Sequence, residues 1–592
     1  MIQKLKNSVV IVSTQRVAGI LNKQQKRQAL IMLVLLVANT FLELFGLAAV
    51  IPLISMVLEE DAVQNSDGLS YIYNMLGFSN NNYFLYFLSA SFLLVILVRG
   101  ALSIYIYHKQ ARFSFGLYEY FATQLHRYFY SKGYLYFKSK DSNKIVRDIN
   151  LSSDQFARNI IMPLIIIFTE IFLLFLVTMG LVFYQPVVSA MLFLVLLPVA
   201  VLFLTLVKQK IQAYREKDYE IQAETLRNLF QSIFGYVDVQ VGNMSETFFE
   251  KYKSDVKNLR DIRAYFFTLN QAPQKVLELG MMLGIVVIIL IGTNVMPNKA
   301  DLALTLGVLA LAAYRTLPSF NRIILNLMNL RSHQHIMGVI EQLKGFSHRS
   351  VEQVPLSFEH EIALKNLSFS YEPGIKPNVL EGMTVSIEKG QRVGIIGRSG
   401  SGKTTLVNLL LRFLHESEGQ IKVDGHPLND SNVEAWRDMI GYVQQDVYIL
   451  NDSLAKNIAF GHEEVDEARV KKVVEQASLE SLVDSLPHGI HTPIGERGSQ
   501  ISGGQRQRIG VARALYEGAQ ILIFDEATSA LDSETEREIT DSIQKLSSRH
   551  FTMLIIAHRF TTLKYCDRII ELENGRLKKE MTYHELMESA VL

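Results

Sequence analysis

The sequence has almost no cysteine and little charge for its length. Cys566 is the one cysteine among 592 residues, which excludes an internal disulfide and any cysteine-rich metal site. Charged residues make up 20% of the chain and the formal net charge is +1, so charge gives no reason to expect nucleic acid as a partner. Hydrophobic residues make up 49%. A chain of this length is expected to form several domains.

Charge is scarcest before residue 340, where six apolar runs are each long enough to cross a bilayer. The predicted spans are 29–57, 83–107, 160–184, 187–207, 276–292 and 302–328. We therefore predict an all-α, six-helix transmembrane domain at 1–340, a linker at 341–358 and an α/β domain at 359–592. The resulting fold class is a multidomain membrane protein.

The lysines and arginines predict the orientation of the spans. Residues 1–28 contain several of them and no acidic residue, whereas the loop 59–82 has neither lysine nor arginine. Loops rich in these residues stay in the cytoplasm. We therefore expect a multi-pass protein of the bacterial inner membrane with both termini cytoplasmic. The basic stretches 108–158 and 208–275 are too long for simple turns and predict helices that extend past the membrane.

The most specific motif lies at 397–404, where the sequence is Gly-Arg-Ser-Gly-Ser-Gly-Lys-Thr. It fits the phosphate-binding pattern G-x-x-x-x-G-K-[ST] and stands between a predicted strand and a predicted helix. Backbone amides of such a loop surround a polyphosphate, the lysine reaches the outer phosphates, and the hydroxyl of the last residue binds Mg²⁺. We predict that ATP and Mg²⁺ bind here. The predicted contacts are Tyr371, Gly397, Arg398, Ser399, Gly400, Ser401, Gly402, Lys403, Thr404 and Thr405.

Two further apolar strands end in groups suited to phosphoryl transfer. Asp525 follows the run 521–524 and is placed to hold Mg²⁺ through water, with Thr404. Glu526 can polarise a water for attack on the γ-phosphate, and His558, after the run 553–557, can orient that water. For Tyr371 two interpretations stay open, because its ring can stack on adenine or pack on neighbouring strand residues.

A second helix start, Ser502-Gly503-Gly504-Gln505, has no phosphate loop of its own. With these motifs, residues 359–592 resemble the nucleotide-binding domain of ABC transporters. The resemblance implies a P-loop NTPase fold, identifies 502–505 as the family signature, and assigns Gln445 to Mg²⁺ and catalysis and Asp532 to the loop that links two sites. It also implies that each ATP lies between one chain's phosphate loop and another chain's signature. A membrane domain followed by one such domain resembles an exporter half-transporter, and we expect a homodimer.

Three arginines lie inside the predicted spans, where charge is costly and usually functional. They are Arg99, Arg315 and Arg322, and the last two share a helix face because they are seven residues apart. Guanidinium groups in a central cavity would suit a phosphate or pyrophosphate. Equally, the arginines could pair with glutamates of the spans or extend toward the membrane surface. The residues alone leave both interpretations open.

The segments around these arginines, 98–102 and 314–324, resemble the PglK-type bacterial flippases of lipid-linked oligosaccharides. The resemblance implies that the arginines engage a pyrophosphate and that 69–78 forms a short external helix near the lipid tail. It implies an ATP-driven flippase of a polyprenyl-pyrophosphate-linked oligosaccharide. One departure is Gln274-Lys275, where that family has a further cavity arginine.

Two other functions stay open at this point. The same scaffold serves exporters of lipids, peptides or drugs. A different class would be an ATP-gated channel or a regulatory subunit that does not pump. Glu526 and His558 argue against that class, because a gate does not need fast ATP turnover.

Overall fold

In a computed structural model, the chain divides into two compact units. The residues described are 8–50, 66–184, 217–295 without 219 and 223, 299–347, 352–526 without 373, 376, 496 and 497, and 551–591 without 558, with 52, 53, 56, 63 and 198. The first unit comprises 1–131 and 140–347, and the second comprises 132–139 and 348–592.

The described part of the first unit is helical. In chain order its helices are α1 (Val9–Ile20), α2 (Lys23–Ala48), α3 (Asp67–Met75), α4 (Asn81–Tyr130), then, after α5 (Gly133–Ser139) of the second unit, α6 (Ser142–Ile149), α7 (Leu151–Phe156), α8 (Met162–Tyr184), α9 (Tyr236–Val241), α10 (Ser245–Val295), α11 (Lys299–Ser332) and α12 (Gln334–Ile340). A π-helical turn, Ala157–Ile161, joins α7 to α8.

Helices of this unit are long and apolar. Within the described residues, three segments have the length and composition to cross a membrane: Lys23–Gly46, Asn81–Tyr130 and Ser142–Gly180. The predicted spans 276–292 and 302–328 lie in α10 and α11, and the predicted span 187–207 lies outside the described residues except for 198. At 1.5 Å per residue, the 50 residues of α4 extend about 75 Å, against about 30 Å of hydrocarbon.

Beyond its apolar part, α4 is held by a buried stripe at helical spacing. Leu117, Phe121, Leu125 and Phe129 are buried one turn apart. The ring of Phe121 meets Phe156 of α7 edge-on, with centroids 5.1 Å apart. The extension of α4 is therefore packed against other helices over three turns.

The short helix α3 corresponds to the external helix predicted at 69–78. Ser66 caps it by accepting a hydrogen bond from the Leu69 amide. Its inner face is anchored by Leu69 and by Tyr73, whose ring lies 5.1 Å from that of buried Phe84. Tyr71 and Met75 are exposed on the opposite face. The helix therefore presents apolar side chains outward.

The second unit contains two sheets. Its strands are β1 (Glu361–Phe369), β2 (Leu380–Glu388), β3 (Arg392–Ile396), β4 (Glu418–Val423), β5 (His426–Pro427), β6 (Ile440–Val443), β7 (Ile521–Asp525), β8 (Thr552–Ile556), β9 (Arg568–Glu573) and β10 (Arg576–Met581). One sheet is antiparallel, in the order β2-β1-β4-β5, and the other has the order β10-β9-β3-β8-β7-β6. In the second sheet the strands from β9 to β6 pair in parallel, and β10 is antiparallel at the edge.

Helices cover these sheets. They are α13 (Lys403–Leu410), α14 (Val433–Asp438), α15 (Leu454–Ile458), α16 (Glu467–Gln476), α17 (Glu480–Ser485), α18 (Gly503–Glu517) and α19 (Tyr583–Val591). Strands β7 and β8 are buried along their whole length, as their apolar sequences predict for central parallel strands. Helix α5 also belongs to this unit, where Tyr134 stacks on Phe413 with ring centroids 5.3 Å apart.

Candidate nucleotide site

The parallel sheet brings the predicted catalytic groups to one edge. Strands β3, β8 and β7 are neighbours, and Ile556 of β8 pairs with Ile395 on one side and Asp525 on the other. The carboxyl ends of these strands therefore lie together, which is where open α/β sheets bind their ligands. Gly397 follows β3 and Asp525 ends β7 at this edge.

The phosphate loop needs glycine because its backbone lies close to other chain segments. A Cβ on Gly397 would lie 2.4 Å from the carbonyl oxygen of Leu572. Gly402 has φ +103°, and a Cβ there would lie 2.7 Å from a methyl group of Leu380. The loop is thus fixed against β9 and β2, and α13 begins directly after it at Lys403.

Lys403 is buried and reaches back over the loop. Its ammonium group donates to the carbonyl oxygens of Gly397, at 2.8 Å, and Arg398, at 3.2 Å. The hydroxyl of Ser401 is buried and has no hydrogen-bond partner among the described residues. An ammonium group and an unsatisfied hydroxyl beside a helix N-terminus suit phosphate oxygens, so these residues fit the predicted nucleotide.

Tyr371 and Thr405 are joined beside this loop. The Tyr371 hydroxyl and the Thr405 hydroxyl are 3.2 Å apart, within hydrogen-bond distance. The Tyr371 ring meets Phe369 edge-on, with centroids 5.0 Å apart, and is 38% exposed. Packing on a strand neighbour, one of the two interpretations, is therefore present, and stacking on adenine stays a prediction. Thr404 is exposed at the helix start, where its hydroxyl could bind Mg²⁺.

Asp525 is held by a tyrosine that sequence reasoning missed. The Tyr442 hydroxyl donates to a carboxylate oxygen of Asp525 at 3.0 Å. Burial raises the pKa of Asp525, and this hydrogen bond opposes the rise. Tyr442 lies on β6, the parallel strand next to β7, where it pairs with Ile523. A tyrosine on the neighbouring strand was the feature of the sequence that could have indicated this contact. Asp525 is thus oriented toward the edge where Mg²⁺ is predicted.

Glu526 stands just past β7 in an unusual backbone conformation. Its φ is +52°, a left-handed value that residues other than glycine rarely adopt. Its amide donates to the Ile556 carbonyl at 3.0 Å, which fixes the turn beside β8. Such strain is often kept at functional positions. Among the described residues no group of three His, Cys, Asp or Glu side chains forms a metal site, so Mg²⁺ would depend on the phosphates as well as on Thr404 and Asp525.

The predicted signature forms a capped helix start. The Ser502 hydroxyl accepts from the Gln505 amide at 3.2 Å, and the Gln505 side chain accepts from the Ser502 amide at 2.8 Å. Ser502 is exposed, as is Gln445, whose carbonyl oxygen accepts from Gln507 of α18 at 3.5 Å. His558 and Asp532, the other predicted site residues of this domain, lie outside the described residues.

In the first unit, two of the three predicted substrate arginines are paired with glutamates. Arg322 lies 2.9 Å from Glu170, and Arg315 forms an ion pair with Glu43. Arg99 is half-buried and has no carboxylate partner among the described residues. Its guanidinium lies against Gly46 of α2, where a Cβ would be 2.7 Å from an arginine nitrogen.

Comparison with known proteins agrees with the geometry of the second unit. Residues 380–529 match the family model described as ABC transporter. The C-terminal part of this chain is an ABC transporter nucleotide-binding domain. Domains of this family bind ATP with Mg²⁺, in keeping with the loop and the carboxylates described above.

Curated relatives share part of their length with this chain. The ATP-dependent lipid A-core flippase of Cupriavidus pinatubonensis is 44% identical over 230 residues, which are 38% of this chain and 39% of that protein. The flippase of the same name from Ralstonia nicotianae is 42% identical over 266 residues, 44% of each. The chain therefore spans about two fifths of the length of these relatives.

One solved structure matches almost the whole chain. The "Structure of a bacterial Atm1-family ABC exporter with ATP bound" has a TM-score of 0.72, covers 96% of both chains and is 22% identical. The likeness shows the fold. This chain therefore shares that fold, with a helical domain followed by a P-loop NTPase domain, as the sequence predicted.

Proposed function

We propose that this chain is one half of an ATP-driven flippase that acts as a homodimer in the bacterial inner membrane, with both termini in the cytoplasm. The preferred substrate is a polyprenyl-pyrophosphate-linked oligosaccharide. The assignment of ATP hydrolysis depends on one observation, that the glycine loop, Lys403 and Asp525 lie together at one edge of the sheet. Coupling to transport is supported by the exporter fold of the whole chain.

The residues divide the chemistry between them. Loop amides and Lys403 bind and orient the triphosphate, and Ser401 offers one more hydrogen bond. Thr404, Asp525 and Gln445 would hold Mg²⁺, which shields phosphate charge when bound. Glu526 would polarise the attacking water, and His558 would orient it. Positioning and charge stabilisation account for most of the rate in phosphoryl transfer.

Glu526→Gln tests the catalytic assignment. The amide keeps the shape and loses the charge, so ATP turnover by purified protein should fall by about 10²–10⁴ while ATP binding persists. Glu434→Gln is the control, because Glu434 is an exposed glutamate on α14 of the same domain. Unchanged hydrolysis by the Glu526 variant would remove Glu526 from the mechanism.

The exposed signature is the reason to expect a second chain, whose nucleotide it would face. Ser502 and Gln505 bond to each other and so fix the start of α18. Asp532 would link the two sites. Mixing a Lys403→Ala chain with a Ser502→Arg chain should restore hydrolysis, because the mixed dimer holds one intact site. Activity of a solitary monomer, or no recovery on mixing, would overturn the homodimer.

The substrate assignment rests on the membrane arginines, and Arg99 is the best placed. Its guanidinium is half-buried and has no carboxylate partner among the residues that the structure describes, which suits a pyrophosphate. Arg322 is 42% exposed while its partner Glu170 is 7% exposed, so Arg322 can contact a ligand without leaving the pair. The relatives named lipid A-core flippases support a phosphorylated, saccharide-bearing lipid as the class of substrate.

The experiment is flipping in proteoliposomes with four candidate substrates. These are a polyprenyl-pyrophosphate oligosaccharide, lipid A-core, phosphatidylcholine and a hydrophobic peptide. ATP-dependent movement of the first, about tenfold or more above the others, supports the proposal. Preference for lipid A-core, phosphatidylcholine or peptide would assign that substrate instead, and passage without ATP hydrolysis would indicate a channel.

Two variants separate substrate contact from helix packing. Arg99→Gln should stop flipping and leave basal ATP turnover within about twofold. The double variant Arg322→Gln/Glu170→Gln removes both charges of one pair, so the net charge of the unit does not change. If Arg322 only stabilises the fold, the double variant flips normally; if it contacts pyrophosphate, flipping stays impaired although the protein is stable.

A further inference from the structure

A cavity of about 560 Å³ lies between α2 and α4 in the first unit. On α2 it is lined by Gln24, Gln28, Ile31 and Leu35, which follow one another at helical spacing on one face. On α4 it is lined over the three turns from Lys109 to Tyr120. The cavity is therefore a groove between two helix faces of the first unit.

The two helices run antiparallel along this groove. Asn39 accepts a hydrogen bond from Ser103 at 2.7 Å, and Gly46 lies against Arg99, so higher numbers on α2 meet lower numbers on α4. Lys109 and Arg112 consequently lie at the level of the apolar Ile31–Leu35 segment. The amide side chains of Gln24 and Gln28, at the start of α2, lie further along the groove, toward Tyr120 of α4.

The groove carries two positive charges. None of the described residues that line it is an aspartate or a glutamate. Among the described residues, neither Lys109 nor Arg112 forms an ion pair, and the Lys109 ammonium lies 5.4 Å from the centroid of the Tyr105 ring. Arg112 is exposed. Two unneutralised cations in one cavity call for an anion.

The lining offers the three kinds of surface that a phospholipid needs. Apolar Ile31 and Leu35 on α2 lie at the same level as Lys109 and Arg112 on α4, and the amides of Gln28 and Gln24 lie beyond them. An acyl chain, a phosphate and a polar headgroup are likewise neighbours at a membrane surface. Basic residues next to spans attract anionic lipid there.

We propose that this cavity binds the phosphate of an anionic phospholipid, with its acyl chains along the Leu35 end and its headgroup against the α2 glutamines. In the orientation proposed above, the lipid belongs to the cytoplasmic leaflet. The site needs only that the chain lies in a membrane, so it is independent of the transported substrate.

The test uses the full-length protein in detergent, freed of lipid and titrated with phosphatidylglycerol. Phosphatidylcholine, glycerol phosphate and inorganic phosphate are the comparison probes. We expect saturable binding of phosphatidylglycerol at least tenfold tighter than phosphatidylcholine, and little binding of the two soluble anions. Equal binding of both lipids, or equal competition by inorganic phosphate, would overturn the proposal.

Charge variants locate the site. Lys109→Gln/Arg112→Gln should weaken phosphatidylglycerol binding about tenfold or more, since each basic residue near a surface contributes substantially to anionic lipid affinity. Lys26→Gln/Arg127→Gln makes the same change in charge at exposed positions of α2 and α4 that do not line the cavity. An equal loss in both doubles would show a general surface charge effect and would overturn the site.

A third variant tests the cavity without changing any charge and is chosen so that the protein still folds. Gly116 lines the cavity, and a Cβ there would meet nothing within 4 Å, so Gly116→Leu fills the groove and favours the helix. It should weaken phosphatidylglycerol binding as strongly as the charge double. Gly180→Leu, at an equally open glycine of α8, should leave binding unchanged. Full binding by Gly116→Leu would contradict the cavity as the site. The outcome of this binding test does not depend on whether the variants still flip the transported substrate.

Discussion

The nucleotide unit and the membrane unit hold their charged groups in different ways. In the nucleotide unit, Lys403 is held by carbonyl oxygens of Gly397 and Arg398, six and five residues away in the chain. In the membrane unit, Arg315 is paired with Glu43, 272 positions away. A charge held by its own loop can be recognised from a short motif. A charge held by a distant helix can be assigned a partner only from the folded structure.

Among the variants that test this contrast, Gly397→Ala in the phosphate loop has the largest expected effect. The added methyl would lie 2.4 Å from the Leu572 carbonyl oxygen, so the loop has to move. A shift of about 1 Å at a site of phosphoryl transfer can cost about 10² in rate. We expect ATP turnover of the purified protein to fall about a hundredfold, with weaker ATP binding.

Gly400→Ala is the matched control in the same loop. Gly400 has φ +81°, but a Cβ there would meet nothing within 4 Å. The methyl adds only backbone strain, about 1–2 kcal/mol, so turnover should fall much less than in Gly397→Ala. Equal losses in the two variants would mean that backbone conformation, not close approach to β9, makes glycine necessary at Gly397.

The second test removes one partner of the pair between α2 and α11. Arg315 and Glu43 are only 16% and 13% exposed, so Arg315→Gln leaves a poorly hydrated carboxylate. Losing one partner of a buried pair costs about 3–5 kcal/mol. The thermal unfolding midpoint of the detergent-solubilised protein should drop clearly, and Arg315→Gln/Glu43→Gln should recover most of it. A double variant as unstable as the single one would show that packing, not charge, holds these helices.

The third test addresses the hydrogen bond that orients Asp525. Tyr442→Phe removes the donor 3.0 Å from the carboxylate, and loss of such a supporting contact typically weakens metal binding about tenfold. The Mg²⁺ concentration for half-maximal ATP turnover should rise by about that factor. Tyr448→Phe is the control, because Tyr448 is 65% exposed on the segment after β6. An unchanged Mg²⁺ dependence would remove Tyr442 from the site.

The sequence predicted the nucleotide unit well because its motifs are local. The apolar runs at β3, β7 and β8, the glycine loop and the helix starts each depend on neighbours in the chain, and the structure has strands and helices there. The role of Tyr442 escaped notice because it depends on which strand lies next to β7. In the membrane unit the arginines were recognised as costly, yet the choice between cavity and glutamate partner depends on helix packing that no local pattern contains. Arg99 illustrates this, since only the structure shows its neighbour Gly46.

The smallest expected effect lies at the ends of the membrane unit, where α1 is tied to the segment after α12. Arg16 donates to both carboxylate oxygens of Glu341, and this lowers the pKa of Glu341 from 4.5 to about 2. A lowered carboxyl pKa adds stability above pH 4.5 that is lost as the pH falls toward 2. Because both side chains are partly exposed and Lys344 also contacts Glu341, the pair contributes about 0.5–1 kcal/mol.

Arg16→Gln should therefore reduce the hydrogen-exchange protection of α1 about two- to fivefold at pH 7 and hardly at all near pH 2, after correction for intrinsic exchange rates. Arg27→Gln, at an exposed arginine of α2, should reduce it at neither pH. If the difference between wild type and Arg16→Gln persisted unchanged at pH 2, the charge of Glu341 would not be its cause. The arginine stem would then stabilise α1 by packing alone.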